Sequence, residues 1–75
     1  MKYKEIAYNM LKQQALSDSA KAKASLKMLL DHPAGVGEHS TGDLYDNLNE
    51  SLSLLADAED KLNLLTEYET FFLRS

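Results

Sequence analysis

The residues that interrupt helices are confined to one short stretch of this chain. The only proline, all three glycines and both histidines lie within residues 31–43, in the sequence DHPAGVGEHSTGD. Proline and glycine are the least favourable residues in a helix interior, so each flanking segment can form one long helix. This distribution predicts two helices, over about 3–31 and about 41–72, joined by a loop over about 32–40.

The first segment has the composition and the apolar pattern of a helix with two neighbours. It is rich in Ala, Leu, Lys and Gln, which are strong helix formers. Pro33 disfavours the helical conformation of the residue before it, so we expect the helix to end near Asp31. Two apolar faces indicate two packing partners. The inner face is Ala7, Leu11, Ala15, Ala22, Leu26 and Leu29, and the outer face is Ile6, Met10, Ala20, Ala24 and Met28.

The second segment resembles an imperfect coiled-coil helix. Ser40, followed three residues later by Asp43, resembles a capping box and predicts the start of this helix. Ser51 and Glu69 interrupt the apolar repeat, so the pattern is not a continuous coiled-coil seam. The repeat alternates by three and four residues and consists of Leu44, Leu48, Leu55, Ala58, Leu62, Leu65 and Phe72.

The two segments are suited to pack against each other as an antiparallel hairpin. Residues 1–33 contain six lysines and three acids, whereas residues 34–75 contain two basic residues and nine acids. A hairpin folded about Val36 places Ala15 beside Ala58, which predicts a narrow waist, and brings Tyr3 near Phe72. Two helices cannot enclose a core, so we expect an all-α hairpin that dimerises into a four-helix bundle. The side chains that such a dimer would cover are Ile6, Met10, Met28, Leu54 and Tyr68.

Composition excludes several classes of protein. The chain has no cysteine, which excludes disulfides, thiolate metal sites and cysteine nucleophiles. No segment approaches the run of about 20 apolar residues that a membrane-spanning helix requires. We expect a cytoplasmic protein with no membrane contact. Nucleic acid is an unexpected partner as well, because duplex binders carry a basic excess and the net charge here is −4.

The connecting stretch contains the candidate ligand-binding residues. Asp31 together with His32, Glu38, His39 and Asp43 supplies imidazole and carboxylate groups, which bind zinc and similar metals. The stretch also precedes a helix, and helix N-termini attract anions. However, it lacks the lysine of a phosphate-binding loop, and its histidines lack the spacing of a helical metal site. We therefore expect no cofactor, and we do not assign a metal site to these candidate residues.

The sequence supplies no convincing catalytic residue, and we expect no enzymatic activity. The acids in DAED, residues 57–60, resemble the magnesium-binding clusters of helical nucleotide hydrolases, but the first segment offers few acids to complete such a site. An acidic helix could also mimic DNA, although many solvated helices look the same. The six lysines of the first segment lack the interleaved aromatic residues of a single-strand binding surface.

Two groups of residues form a distinctive pattern around the connecting stretch and on the second helix. They are Asp31, Pro33, Gly35, Val36, Gly37, Glu38 and His39, then Leu55, Ala56, Ala58, Glu59 and Leu62. This pattern resembles a family of small uncharacterised proteins from T4-like tailed phages, especially marine phages of cyanobacteria. The resemblance runs from Leu29 to Leu65, with Ala34 where a valine is commoner, and it implies a viral accessory protein in an infected bacterial cell.

We expect a helical interaction module that binds itself, with a host or phage protein as a further candidate partner. The alternative is a metal- or anion-binding protein that uses residues 31–43.

Overall fold

The computed structural model describes residues 2–31 and 41–74, and every element within these ranges is a helix. Helix α1 is Lys2–Asp31, α2 is Thr41–Glu67 and α3 is the short Glu69–Leu73. The side chain of Tyr8 bonds to Leu65, and that of Ser19 bonds to Glu59, so α2 runs antiparallel to α1. The prediction of an all-helical chain with two long helices packed together is confirmed.

The two long helices meet along a seam that follows a heptad repeat. Buried and half-buried residues alternate by four and three positions along each helix, as in an antiparallel coiled coil. The register set by Tyr8 and Leu65 places Leu29 at the level of Leu44. The seam of α1 is Tyr8, Lys12, Ala15, Ser19, Ala22, Leu26 and Leu29, and that of α2 is Leu44, Leu48, Ser51, Leu55, Ala58, Leu62 and Leu65.

The seam differs from the predicted stripes because it includes polar residues. Ser51 was expected to interrupt the repeat of α2, but it is half-buried and in register. On α1 the buried Tyr8 and half-buried Lys12 occupy the seam, whereas Ala7 and Leu11 are exposed. A tyrosine keeps its polar tip satisfied while its ring is buried, and a lysine stem packs along apolar surface. A pattern built on apolar residues alone therefore misplaced this end of the stripe.

Buried alanines line the seam in the middle of the hairpin, where the sequence predicts a narrow waist. Ala15, Ala22 and Ala58 are 2%, 0% and 1% exposed and are the most buried of the described residues. Small side chains allow two helices to approach toward the lower end of the usual range of about 8–10 Å between axes. The core is consequently thin, because its most buried positions contribute little apolar area.

Tyr68 separates α2 from α3, so the segment predicted as one helix is divided. Its backbone angles are φ −106° and ψ 22°, which lie near the sparsely populated bridge region between helix and extended conformations. The chain keeps a helical hydrogen bond on each side, from Tyr68 N to Leu64 O at 2.9 Å and from Phe72 N to Tyr68 O at 3.0 Å. Beyond this break Phe72 leaves the seam. Phe72 and Tyr3, which the hairpin register predicts to lie near each other, are both exposed.

The hairpin is a thin rod whose radius of gyration exceeds that of a compact domain of the same chain length. Its principal extents are 54 × 16 × 15 Å, and its radius of gyration is 16.5 Å. A compact chain of the same length has a radius of gyration of about 11 Å. Residues 2 and 74 lie at one end of the rod, which we call the open end, and residues 31 and 41 lie at the other, which we call the loop end.

Candidate interaction surface

Most of the predicted metal or anion site lies outside the described residues. His32, Glu38 and His39 belong to residues 32–40, as does Ser40 of the expected capping box, and the structure does not describe them. Asp43 lies in the first turn of α2 and is exposed. Asp31, the last residue of α1, forms an ion pair with Lys27 at 3.3 Å. Within residues 2–31 and 41–74, no three acidic or histidine side chains are grouped as a metal site would require.

The acidic cluster at residues 57–60 has structural partners. Asp57 Oδ2 lies 2.9 Å from the ammonium group of Lys61, one helical turn away. The hydrogen bond from Lys61 to Asp57, followed by the charge of Asp57 and the more distant charge of Asp18, raises the pKa of Lys61. Glu59 accepts a hydrogen bond from α1. Two of the four residues of this cluster are therefore engaged within the hairpin.

A polar contact crosses the waist of the hairpin. Ser19 is buried, and its hydroxyl donates a hydrogen bond of 2.9 Å to the Glu59 carboxylate. A buried hydroxyl without a partner is costly, so this acceptor stabilises the close approach of the helices. Among the described residues, no buried side-chain polar atom lacks a hydrogen-bond partner. The contact gives Ser19 and Glu59 a structural role.

A second long-range hydrogen bond fixes the open end. The Tyr8 hydroxyl donates to the backbone carbonyl of Leu65 at 2.8 Å. Burial, followed by the negative charge of Glu69, raises the pKa of the Tyr8 phenol. The neutral phenol is the form that can donate this bond. Tyr8 therefore anchors α1 to α2 at Leu65, which lies three residues before the break at Tyr68.

Large apolar side chains cover much of the outer surface. Only five hydrophobic residues are buried in the described part of the chain, and three of them are alanines. Exposed apolar patches of more than a few hundred Å² are uncommon on monomeric proteins and mark interaction sites. The prediction that Ile6, Met10, Met28, Leu54 and Tyr68 face outward is confirmed. The full exposed set is Tyr3, Ile6, Met10, Leu11, Leu16, Met28, Leu30, Tyr45, Leu52, Leu54, Leu64, Tyr68, Phe71 and Phe72.

Two adjoining cavities form an apolar groove between the helices at the open end. The first, of about 210 Å³, is lined by Lys4, Ala7, Tyr8, Leu11, Leu65 and Phe72. The second, of about 230 Å³, is lined by Leu11, Lys61, Leu64 and Leu65. Because the cavities share Leu11 and Leu65, they form one surface, which we call the open-end groove.

Aromatic rings extend the apolar surface beyond the groove. Tyr68 and Phe71 are arranged edge to face with ring centroids 6.4 Å apart, and Phe71 and Phe72 likewise at 5.4 Å. Edge-to-face pairs hold aromatic rings in a defined geometry without full burial. All three rings are exposed. The break at Tyr68 thus presents a fixed aromatic cluster next to the groove.

The sequence contained a signal for this surface that the predicted stripes did not use. Leu64, Tyr68 and Phe71 recur at intervals of four and three residues, one position before Leu65, Glu69 and Phe72. A second repeat offset from the first indicates a second apolar face on the same helix. Leu11 was assigned to the inner face of α1, whereas it is exposed beside the groove.

Comparisons with other proteins leave the surface itself as the basis for a functional argument. No family model, curated protein or solved structure matches the chain. Across the described residues, no helix has an apolar stretch long enough to cross a bilayer. The geometry of the hairpin and its exposed apolar side chains are the features from which a function can be inferred.

Proposed function

We propose that this protein is a helical interaction module that acts as a homodimer, in which two hairpins form a four-helix bundle. The observation that carries the proposal is the large apolar surface outside a thin core. Two-helix hairpins leave one face of each helix unpacked, and a second hairpin is the common way to cover it. In keeping with the resemblance of its sequence, we propose that the module is a phage-type accessory protein of the cytoplasm of an infected bacterium.

The accessible surface of the chain is large enough to include an interface with a second hairpin. The chain has an accessible surface of 5935 Å² for a mass of 8.4 kDa. A compact monomer of this mass exposes about 4,600 Å², so the excess is about 1,300 Å². A stable interface covers about 800 Å² on each partner. The excess is therefore large enough for one such interface.

The proposal is tested by the mass of the protein in solution. Size-exclusion chromatography with light scattering should give twice the chain mass of 8.4 kDa in the micromolar range. The midpoint of thermal unfolding, followed by far-UV circular dichroism, should rise with protein concentration because folding is linked to association. A mass of one chain throughout the micromolar range, with a concentration-independent midpoint, would refute the proposal.

A further inference from the structure

We propose that the open-end groove is the binding site for helix α1 of a second copy of this chain. In this arrangement α1 inserts the stripe formed by Tyr3, Ile6 and Met10 into the partner's groove, and the partner inserts its own stripe in return. The inference rests on the proposed homodimer and adds to it the surface and the end of the rod that are used. It leaves the other flank of the hairpin uncovered.

The groove is suited to side chains of a helix. Its two cavities, of about 210 and 230 Å³, adjoin each other and share Leu11 and Leu65. Small-molecule sites combine apolar walls with a few convergent polar groups, whereas Leu11, Leu64 and Leu65 supply most of the wall of the second cavity here. Adjacent apolar hollows between two helices can accept successive side chains of a third helix.

The stripe on α1 has the spacing and the exposure that such a groove requires. Tyr3, Ile6 and Met10 follow one another at intervals of three and four residues, so they lie on one face of the helix. They are 78%, 64% and 64% exposed. This face lies opposite the seam and at the same level along α1 as the groove. A twofold axis near the open end can therefore bring each stripe to the other groove, as an isologous dimer requires.

The charges of the two helices favour this arrangement. Helix α1 contains six lysines and three acids, whereas α2 contains one lysine and seven acids. A second α1 seated in the groove lies against α2, so helices of opposite net charge become neighbours, although Lys4 and Lys61 also line the groove. Complementary charge contributes mainly to orientation and to the rate of association. The excess accessible area of about 1,300 Å² belongs to the whole hairpin, and a standard interface would cover roughly 800 Å² of the surface.

The loop end of the same flank is less suited to the partner. A third cavity there, of about 250 Å³, is lined by Met28 and Leu29 together with four polar residues, Ser25, Asn47, Glu50 and Ser51. Covering such groups without new hydrogen bonds would cost free energy. The two copies are therefore placed with their open ends overlapping and their loop ends outside the contact.

A matched pair of leucines tests which flank is covered. Leu64 and Leu52 both lie on α2 and are 53% and 55% exposed, but only Leu64 lines the groove. We expect Leu64→Glu to weaken dimerisation at least about 100-fold, because a charged side chain would be moved from water into an apolar contact. Leu52→Glu should change it less than about threefold, as expected for a residue outside the interface. Mass is measured by light scattering while circular dichroism verifies that both variants keep their helices.

A second experiment tests the stripe without introducing a charge. The chain contains no cysteine, so each single-cysteine variant has one reactive thiol. Met10 and Met28 are both 64% exposed on the outward side of α1. At concentrations where the protein is dimeric, the thiol of Met10→Cys should react with a thiol reagent at least about tenfold more slowly than on dilution, because dissociation must come first. The thiol of Met28→Cys should react at the same rate at both concentrations.

The outcomes separate this inference from the proposed dimer. A wild-type protein that is monomeric would overturn both. A dimer that persists in Leu64→Glu, or that is lost equally in Leu52→Glu, would overturn the groove assignment and leave the dimer intact. Equal protection of both thiols in a dimeric protein would show that the contact extends to the loop end, and would overturn the overlap of open ends.

Discussion

Replacing Ala58 with leucine tests the prediction that the two helices approach closely at their buried alanines. Ala58 is 1% exposed, and the register of the seam places it at the level of Ala15, which is 2% exposed. In a coiled coil with room at this position, a leucine would add three carbon atoms to the core and stabilise it by up to about 2 kcal/mol. At a closed position the same atoms must separate the helices. The sign of the effect therefore distinguishes the two cases.

The expected magnitude follows from the small size of the core. Overpacking a filled site usually costs about 1–3 kcal/mol, and a single core in a chain this short rarely supplies more than about 3–5 kcal/mol. In a domain of this size each kcal/mol corresponds to about 4–8 °C in the unfolding midpoint. We therefore expect Ala58→Leu to lower the midpoint by about 5–20 °C.

The matched control is the same substitution two residues earlier. Ala56 lies on the same helix and is exposed, and alanine and leucine differ little in helix propensity. Ala56→Leu should shift the midpoint by less than about 4 °C, as is usual for surface substitutions. Both variants are melted at equal concentrations and followed by far-UV circular dichroism. If Ala58→Leu melted at or above the temperature of Ala56→Leu, the close approach of the helices would be refuted.

Three further predictions test the contacts that hold the hairpin. Leu65→Ala should lower the free energy of unfolding by about 2–4 kcal/mol because it truncates a buried side chain, whereas the exposed Leu52→Ala should cost less than about 1 kcal/mol in the same urea titration. Glu59→Ala should lower the free energy of unfolding by about 1 kcal/mol or more, since it leaves the buried Ser19 hydroxyl without its acceptor. Ser19→Ala should lower it by less, because the hydroxyl itself is removed. Equal losses in urea denaturation would contradict this asymmetry. Burial raises the pKa of Tyr8 above its usual value of 10.0, so the phenol loses its proton at a lower pH in the unfolded chain than in the folded one. The contribution of Tyr8 to the free energy of unfolding is therefore retained below pH 10.0 and falls as the pH rises toward the folded pKa. Tyr8→Phe should lose part of this alkaline destabilisation when urea midpoints are compared at about pH 9 and pH 11, and an unchanged slope would exclude Tyr8 as its source.

The fold was predictable because its determinants are local. Pro33 and the glycines place the boundary between the two long helices within residues 31–43, and the leucines of α2 define a seam with little ambiguity. Alanines at matched levels of the two helices also indicate where the most buried positions of the seam lie. Each of these signals depends on the residue type and its spacing alone.

The candidate surface was less predictable because it depends on which of two offset repeats is buried. Leu11 is as apolar as Tyr8, yet Tyr8 occupies the seam because its hydroxyl reaches a backbone carbonyl across the interface. Ser19 is buried for a similar reason, through Glu59, which lies 40 residues away. The spacing of residues along one helix cannot identify hydrogen-bond partners this distant in the sequence. The break at Tyr68, which exposes the aromatic cluster, likewise has no proline or glycine to announce it.

The waist has a further consequence for how one register is selected. A shift of α2 by one heptad would place Leu44 at the level of Ala22, or in the other direction Leu65 at the level of Ala15. Either shift would force a leucine into the narrowest part of the hairpin, which overpacking makes unfavourable, and would break the hydrogen bond from Tyr8 to Leu65. The small residues therefore contribute more to choosing the register than to burying apolar area. The small residues fix the alignment of the helices, so the apolar side chains outside the seam are held in one arrangement. A second helix can bind such a fixed apolar groove without the cost of ordering it first.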